Sequence, residues 1–375
     1  MARFGFLSTY PPTRCGLATF TEALAGAMTL PSDDSFIVRI VDESSPAPIP
    51  GTRSRAVVNM RNGSARSIAA AIALLNSADV AVVQHEYGIY GGRDGEEVLG
   101  ILSGLTVPTV VVLHTVVVDP TPHQKHITEE IIRLATSAVV MTETARGLLR
   151  EHYLVDFSAV TVIPHGVAPL PVVEASAPNP RPIVLTWGLI GPGKGLEWGI
   201  RAFAELADMR PAPRYLVLGQ THPKVLAQDG DAYRDRLHAT VGKLGLGKSV
   251  AIDGRYLSSE DLARTLRAAD VVLLPYDSRT QVTSGVLAEA VAAGKPVVAT
   301  AFPHAIELLS GGAGIVVPHE DPSAIATALR AILGEHDIAA RMAATALQAS
   351  RETTWPAVGA RYRRLALALR VTVAA

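Results

Sequence analysis

The sequence has little of several things that mark particular classes of protein. Its only cysteine is Cys15, so no intramolecular disulfide and no thiolate metal cluster can form, and a reducing cytosol fits. Its formal net charge is −1, and it has no basic stretch of the kind that binds nucleic acid or lipid headgroups. The most apolar run, residues 107–118, is too short to span a bilayer and is interrupted by Pro108 and His114.

The first residues run directly into a strand-like segment, with no apolar signal core before it. We therefore expect a cytoplasmic protein that has no integral membrane segment and no nucleic-acid partner.

What the sequence does have is enough apolar material for two cores. Its 375 residues are 48% hydrophobic, and this length suits two domains. Strand-like and helix-like segments alternate throughout, which predicts an α/β fold of parallel sheets with helices on both faces. The predicted strands lie near residues 4–7, 36–41, 80–83, 109–113, 138–141 and 160–163, and near residues 183–187, 214–218, 249–252, 271–274, 296–299 and 314–317.

Five prolines between residues 168 and 182 divide the two series of strands. Such a proline-rich stretch is typical of an extended linker. We predict a first Rossmann-like domain at residues 1–172, a linker at 173–182 and a second Rossmann-like domain at 183–354. The remaining residues, from Trp355 onwards, are expected to form one last amphipathic helix.

Two glycine-rich turns, at residues 11–16 and 188–195, each lie between a predicted strand and a predicted helix. A strand, a glycine-rich turn and a helix N-terminus together present free backbone amides and a positive dipole end, which suit a phosphate. The repetition of this device predicts two doubly wound domains that face one cleft. Such a layout suits the transfer of a group that is carried on a nucleotide.

The segment 281–289 is the sharpest local signal. Ser284 is predicted to cap a short helix that stops at Gly294, and free amides near Thr283 and Gly285 would hold a diphosphate. Glu289 lies about one turn further on, where its carboxylate would accept hydrogen bonds from ribose hydroxyls. The alternative is an exposed helix carboxylate, but the neighbours of Glu289 are apolar, and a buried carboxylate needs a partner.

Other polar residues follow predicted strands, where ligands of parallel sheets bind. Lys194 precedes a helix whose dipole it opposes, so we expect an anion beside it; the alternative is an ordinary loop lysine. His114 ends an apolar strand, and either contacts a sugar or is a satisfied core histidine. His85 and Glu86 either bind a polyol acceptor or cap a turn. The sequence contains no zinc-site spacing, no GxSxG elbow and no Walker A ending.

With these segments the chain resembles the retaining, nucleotide-sugar-dependent GT-B glycosyltransferases of family four, which include mannosyltransferases. The likeness extends over nearly the whole chain. It is carried by the opening Pro-Pro…Cys-Gly loop, the strand that ends in His114, Val-Ile-Pro-His-Gly-Val at residues 162–167, the turn at 188–195, and the segment from Glu289 through Gly-Lys-Pro-Val-Val at residues 294–298.

The resemblance implies roles for individual residues. Gly16 would let the first loop approach the donor phosphate, His114 would contact the transferred sugar, Lys194 would neutralise the departing diphosphate, and Glu289 would hold the ribose. The remaining donor-binding residues would be Gly188, Arg255, Tyr256, Gln281, Thr283, Ser284 and Gly285, with the base near Arg255 and Tyr256. The acceptor would meet Arg14, His85, Glu86 and Tyr87, and the helix at 355–375 would complete the first domain.

Two residues depart from the family pattern. Gln281 stands where the family has a glutamate, which keeps the hydrogen-bonding reach but loses the charge. Leu189 stands where a phosphate-binding arginine is usual. Arg255, Arg279 or Arg14 would supply the missing cation, and we favour Arg255 because it follows a predicted strand end.

The resemblance implies transfer of a hexose from a nucleoside diphosphate sugar to a hydroxyl with retention of anomeric configuration, without a metal or a cofactor. GDP-mannose is the favoured donor, and a UDP- or ADP-sugar is the alternative. The acceptor hydroxyl would belong to a sugar, a polyol or a lipid-linked glycan. Two other functions fit the same pattern: a GT-B phosphorylase or sugar-nucleotide epimerase, and a non-catalytic protein that binds sugar nucleotides.

Overall fold

The computed structural model describes residues 1–13, 15–42, 56–169, 180–255 and 257–373. It divides the chain into two compact units, each with its own core. The first unit comprises Met1–Gly166 and Thr353–Ala375, and the second comprises Val167–Glu352. The predicted linker at 173–182 lies outside the described residues as far as residue 179.

The first unit is a seven-stranded parallel sheet in the order β3-β2-β1-β4-β5-β6-β7. Helices connect most of its strands in the described residues, and the central strands β4 and β5 are buried along their whole length. Its elements are β1 (Arg3–Ser8), α1 (Gly16–Met28), β2 (Asp34–Val41), β3 (Ala56–Arg61), α2 (Ala65–Leu75), β4 (Val80–His85), α3 (Glu97–Ser103), β5 (Thr109–Leu113), α4 (Pro122–Leu134), β6 (Ser137–Val140), α5 (Glu143–His152) and β7 (Val160–Val162).

The second unit is a six-stranded parallel sheet in the order β10-β9-β8-β11-β12-β13. Its elements are β8 (Ile183–Trp187), α6 (Leu196–Ala204), β9 (Arg214–Leu218), α7 (Pro223–Asp229), α8 (Ala232–Lys243), β10 (Val250–Asp253), α9 (Ser259–Ala268), β11 (Val271–Leu274), α10 (Gly285–Ala292), β12 (Val297–Thr300), α11 (Pro303–Leu309), β13 (Gly314–Val317), α12 (Pro322–Gly334) and α13 (His336–Ala349). The two parallel sheets confirm the predicted α/β, doubly wound fold class.

The last helix, α14 (Trp355–Val373), belongs to the first unit. It packs against α1 so closely that a Cβ on Gly359 would lie 2.6 Å from the backbone of Ala27. Arg363 forms an ion pair with the buried carboxylate of Asp33, and Arg361 donates to the carbonyl oxygen of Val162 at 2.9 Å. The first unit is therefore built from both ends of the chain.

In each sheet the first strands are added toward one edge and the later strands toward the other. The strand order reverses between β1 and β4 in the first unit and between β8 and β11 in the second. Ligands of such folds bind beyond the carboxyl ends of the strands at this reversal. The loops after these strands therefore hold the candidate site residues. Within the described residues, no helix is long and apolar enough to cross a membrane.

Candidate functional site

In the second unit, the loop after β8 comes close to the start of α10. Gly188 has a φ of 121°, which favours glycine, and a Cβ placed on it would lie 3.6 Å from the side chain of Val286. The amide of Gly188 donates to the carbonyl oxygen of Leu218 at 3.0 Å, which fixes the loop against β9. Gly188 and Gly285 were both predicted to bind the donor, from separate segments of the sequence. The structure places their two segments next to each other.

The N-terminus of α10 is held in place from two sides. Ser284 caps it, as predicted, with its hydroxyl accepting from the amide of Leu287 at 3.3 Å. The amide of Ser284 donates to Nδ1 of the buried His304 at 2.8 Å. The described residues give the amides of Gly285 and Val286 no acceptor. Two free donors at the positive end of a helix dipole suit an anion such as a diphosphate.

The residues before this cap also present polar atoms. The hydroxyl of Thr283 is buried and has no hydrogen-bond partner among the described residues. The side-chain amide of Gln281 donates to the carbonyl oxygen of Thr283 at 3.1 Å, so Gln281 stabilises this loop from within. Since a buried polar atom without a partner costs free energy, the Thr283 hydroxyl is a candidate ligand contact.

Glu289 lies one turn into α10, and its side chain is half-buried. Its Oε2 accepts a hydrogen bond from the indole Nε1 of Trp187 at 3.3 Å. Burial raises the pKa of Glu289, and the bond from Trp187 opposes this effect only in part. No ion pair to Glu289 is present within the described residues, so its carboxylate keeps the capacity to accept further hydrogen bonds.

Lys194 lies in the glycine-rich loop that precedes α6. Its ammonium lies 4.1 Å from the ring centroid of Tyr276, a cation–π distance. In the part of the chain that the structure describes, no carboxylate lies within ion-pair distance of it. The next residue, Gly195, has a φ of 56°, and a Cβ there would lie 1.9 Å from the carbonyl oxygen of Pro275. A glycine is therefore required directly after the lysine.

Two of the three arginines that the sequence offered as replacement cations are described by the structure, and both lie beside carboxylates. Arg255 forms a bidentate ion pair with Asp253, with its Nη2 donating to Oδ2 at 2.6 Å and its Nε donating to Oδ1 at 3.0 Å, and its side chain is 81% exposed. Arg279 lies 3.8 Å from Glu320. Arg14 and Tyr256 lie outside the described residues.

Sequence reasoning missed Arg234, on α8. Its side chain is 13% exposed and donates to the carbonyl oxygen of Gly219 at 2.7 Å, and its Nη1 is buried without a partner in the described residues. Arg234 thus lies at the carboxyl end of β9, where the loop after that strand pairs with the loop after β8. The signal was weak because a lone arginine inside a helix says nothing about where its side chain points.

In the first unit, His114 follows β5 and is half-buried. Its Nε2 lies 2.7 Å from Oε1 of Gln84, and its ring meets the ring of Phe20 edge-on with 4.7 Å between centroids. Burial lowers the pKa of His114 to about 3, with smaller contributions from His165 and His85. The histidine is therefore neutral at physiological pH.

The predicted acceptor residues His85, Glu86 and Tyr87 take part in contacts within the first unit. His85 is fully buried, and burial lowers its pKa to about 3. Glu86 accepts from the hydroxyl of Thr115 at 2.5 Å, and the Tyr87 hydroxyl lies 2.6 Å from that of Thr128. Of these three, Glu86 and Tyr87 retain some exposure.

Gly16 begins α1, and a Cβ placed on it would meet nothing within 4 Å. The space beside this helix N-terminus fits the predicted close approach of a ligand. Cys15, directly before it, has its sulfur 3.2 Å from the hydroxyl of Thr9. The described residues contain no group of three or more histidine, cysteine, aspartate or glutamate side chains that would hold a metal ion.

Comparison with solved structures shows which fold class the two units have. Sucrose-phosphate synthase from Thermosynechococcus elongatus superposes with a TM-score of 0.75 at 19% identity, covering 99% of this chain and 100% of that one. Anabaena HepE in complex with UDP and glucose superposes with a TM-score of 0.77 at 16% identity, covering 98% and 100%. Both units thus have the Rossmann-like folds of the GT-B glycosyltransferases.

Sequence comparison gives the family. Residues 181–335, in the second unit, match the family Glycosyl transferases group 1, which agrees with the resemblance to glycosyltransferases that the sequence predicted. A D-inositol 3-phosphate glycosyltransferase of Stackebrandtia nassauensis is 29% identical over 68% of this chain and 59% of its own length. An α-D-kanosaminyltransferase of Streptomyces kanamyceticus is 33% identical over 44% of this chain and 40% of its own length. The chain therefore spans only part of these relatives.

Proposed function

We propose that this protein is a glycosyltransferase that transfers a hexose from a nucleoside diphosphate sugar to a hydroxyl acceptor. The observation that carries the proposal is the start of α10. Two amides that have no acceptor among the described residues lie there beside the glycine-rich loop after β8, together with the buried Thr283 hydroxyl and the half-buried Glu289. The match of residues 181–335 to Glycosyl transferases group 1 supports it.

Each part of this region would have a separate task toward the donor. The amides of Gly285 and Val286 and the hydroxyl of Thr283 would bind diphosphate oxygens. The carboxylate of Glu289 would accept hydrogen bonds from two ribose hydroxyls. Lys194 would leave the Tyr276 ring for the diphosphate, since a full anionic charge attracts an ammonium more strongly than an aromatic face does.

For the chemical step we propose retention by attack on the face that the leaving group departs from. The bond between the anomeric carbon and the β-phosphate oxygen breaks, and the acceptor oxygen bonds to that carbon. The acceptor proton passes to the departing phosphate oxygen. Stabilisation of the leaving diphosphate by fixed dipoles and Lys194 would supply most of the rate enhancement.

We propose GDP-mannose as the donor on the likeness of residues 85–88 and 283–285 to mannosyltransferase-like members. A UDP-sugar is the alternative, because structures of the similar HepE protein contain UDP, glucose and UDP-glucose. A polyol acceptor is supported by the name of one group of relatives, D-inositol 3-phosphate glycosyltransferase. The name of the α-D-kanosaminyltransferase concerns the sugar that is transferred.

The test is a panel of GDP-, UDP- and ADP-sugars incubated with sugar and polyol acceptors, with release of nucleoside diphosphate as the measurement. Release that depends on both donor and acceptor supports transfer, and the one-bond carbon–proton coupling constant at the anomeric carbon of the product then reports retention or inversion. Consumption of inorganic phosphate would indicate a phosphorylase, and an altered donor sugar would indicate an epimerase. Tight donor binding without turnover on any acceptor would make the protein a non-catalytic binder.

A further inference from the structure

We propose that Gln84 is a positioning residue that holds His114 as a neutral imidazole with its proton on Nε2, which leaves Nδ1 as the only acceptor on the ring. The identity of the group that Nδ1 meets, a sugar hydroxyl, rests on the proposed function together with the contact to the transferred sugar that the family resemblance implies for His114. The state of the ring is a property of the protein alone and can be measured without any substrate.

The backbone fixes the two side chains relative to each other. Gln84 lies in β4 opposite Val112 of β5, and the amide of His114 donates to the carbonyl oxygen of His85 at 3.1 Å. Strand pairing thus sets both residues at the same sheet end, with 2.7 Å between Gln84 Oε1 and His114 Nε2.

The chemistry of this contact selects one tautomer. A side-chain carbonyl oxygen has lone pairs and no proton, so the hydrogen between the two atoms belongs to Nε2 of His114. A neutral imidazole that carries its proton on Nε2 has a lone pair on Nδ1. The described residues give Nδ1 no hydrogen-bond partner, so the lone pair is available to a ligand.

The surroundings keep the ring neutral. Phe20 of α1 packs edge-on against it, and the titratable groups that act on it from neighbouring elements are His85 of β4 and His165 after β7. Both are themselves buried histidines with lowered pKa values. With burial, they hold the pKa of His114 at about 3, so no proton reaches Nδ1 near neutrality.

The side chain of Gln84 lowers the stability of the fold, because it buries a polar group. It is fully buried, and its Nε2 has no hydrogen-bond partner among the described residues. A methionine or leucine would fill the same space without an orphaned donor. A residue that carries such a cost is explained when its other atom, here Oε1, has a task.

This state of the ring restricts what His114 can do. It cannot protonate a departing oxygen, and it cannot stabilise the diphosphate as a cation. It can accept one hydrogen bond through Nδ1. The donor sugar must therefore present a hydrogen-bond donor to the ring, either a hydroxyl or a protonated amine, and a deoxy or fluoro sugar at that position would lose the contact.

The first experiment observes the tautomer directly in the full chain. Histidine ring nitrogens are labelled with ¹⁵N, and long-range proton–nitrogen correlation spectra are recorded near neutral pH, with His114→Asn used to assign the ring. We expect the pattern of a neutral ring protonated on Nε2, and a mixture of tautomers in Gln84→Leu. A wild-type ring that is charged, or protonated on Nδ1, would overturn the inference.

The second experiment uses the pH profile of turnover. In Gln84→Glu, a carboxylate that accepts from Nε2 stabilises the imidazolium and raises the pKa of His114. A protonated Nδ1 no longer accepts a hydrogen bond, so kcat/KM should fall by about tenfold between about pH 8.5 and pH 6 relative to wild type. Gln84→Leu should lose about tenfold at every pH, because the ring is no longer oriented.

The matched control is Gln348→Glu, which adds the same charge on the exposed side of α13 and should follow the wild-type profile. A Gln84→Glu profile that is superimposable on wild type would contradict the inference. If Gln84→Glu does not fold, Gln84→Leu and the tautomer measurement still decide. If wild type shows no turnover with any donor, the proposed function fails while the spectra continue to test Gln84.

Discussion

At the scale of the residue, Glu289 is the group that most directly tests the donor site. Its half-buried carboxylate is matched by one hydrogen bond from Trp187 and by no cation within the described residues. Glu289→Gln keeps the shape but removes the charge and replaces one acceptor oxygen by a donor, so the hydrogen bonds from Trp187 and from two ribose hydroxyls cannot all be kept. We expect nucleotide affinity to fall by about tenfold to a hundredfold, measured by calorimetry.

The control for this substitution is the stability of the protein without ligand. Because burial raises the pKa of Glu289, the neutral amide removes a desolvated charge, and the melting temperature of the free protein should not fall. A variant that melts as wild type does and binds the nucleotide equally well would exclude Glu289 from the donor site.

His304 makes a second prediction, because the buried ring nitrogen accepts from the amide of Ser284. In His304→Phe that amide loses its acceptor, at a cost of about 1–3 kcal/mol in the free energy of unfolding. The loop that ends at Ser284 should loosen, and donor affinity should fall with it. His304→Asn offers an oxygen to the same amide, so partial recovery of both quantities in parallel is expected, and equal loss in the two variants would argue against this role.

At the scale of the element, the glycine-rich loop before α6 has no room for a side chain at its last position. Gly195→Ala combines a left-handed φ of 56° with a Cβ 1.9 Å from the carbonyl oxygen of Pro275. The loop must shift, and Lys194 must move with it. We expect a loss of about 2 kcal/mol or more in stability, measured by denaturant unfolding, together with weaker donor binding.

Gly193→Ala separates strain from collision, since it has a φ of 85° but no atom within 4 Å of an added Cβ. Gly193→Ala should lower the free energy of unfolding by about 1 kcal/mol and weaken donor binding less than Gly195→Ala does. If Gly195→Ala and Gly193→Ala were equally stable, the close approach to Pro275 would not matter.

The elements themselves were largely predictable from the sequence. β5, β8, β9, β11 and β13 have the bounds that the apolar runs predict. In β5, β8 and β11 every residue is buried, and strands buried on both faces need continuous hydrophobic residues. The edge strand β3 was not predicted, because most of its residues are exposed and it has no such run. The start of α4 is marked by the capping box of Thr121 and Gln124 rather than by an apolar run.

The candidate site was predictable only where one segment carries the signal. Ser284 was predicted as a cap because its effect is local. The contacts of Ser284 with His304, of Gln84 with His114 and of Arg234 with Gly219 join residues that are distant in sequence. Such pairs depend on strand order, and the alternation of strands and helices does not specify that order.

At the scale of the whole molecule, the two units should respond differently to acid. His85, His114 and His165 of the first unit have pKa values of about 3, 3 and 4 instead of 6.5. The unfolded chain binds protons at these sites as the pH falls below 6.5, whereas the folded unit does not, so the stability of the first unit decreases with falling pH. In the second unit the raised pKa values of Glu289 and Asp277 act in the opposite direction.

Hydrogen exchange at a series of pH values, read separately for each unit, measures this difference. His85→Phe keeps a buried ring but has no titrating group. At about pH 5 the free energy of unfolding of the first unit should therefore be about 2 kcal/mol higher in this variant than in wild type. Above about pH 7 the substitution should give no such gain in the free energy of unfolding, because His85 is neutral in both the folded and the unfolded chain. Equal acid sensitivity in the two units would contradict this prediction.

The packing of α14 against α1 has a consequence for synthesis on the ribosome. The second unit is continuous in sequence, from Val167 to Glu352, and can complete its sheet while translation proceeds. The first unit must wait for Gly359 and Arg363, which seat against Ala27 and Asp33. The unit whose first strands are made first is therefore completed last, and until then the side of α1 that α14 covers is exposed.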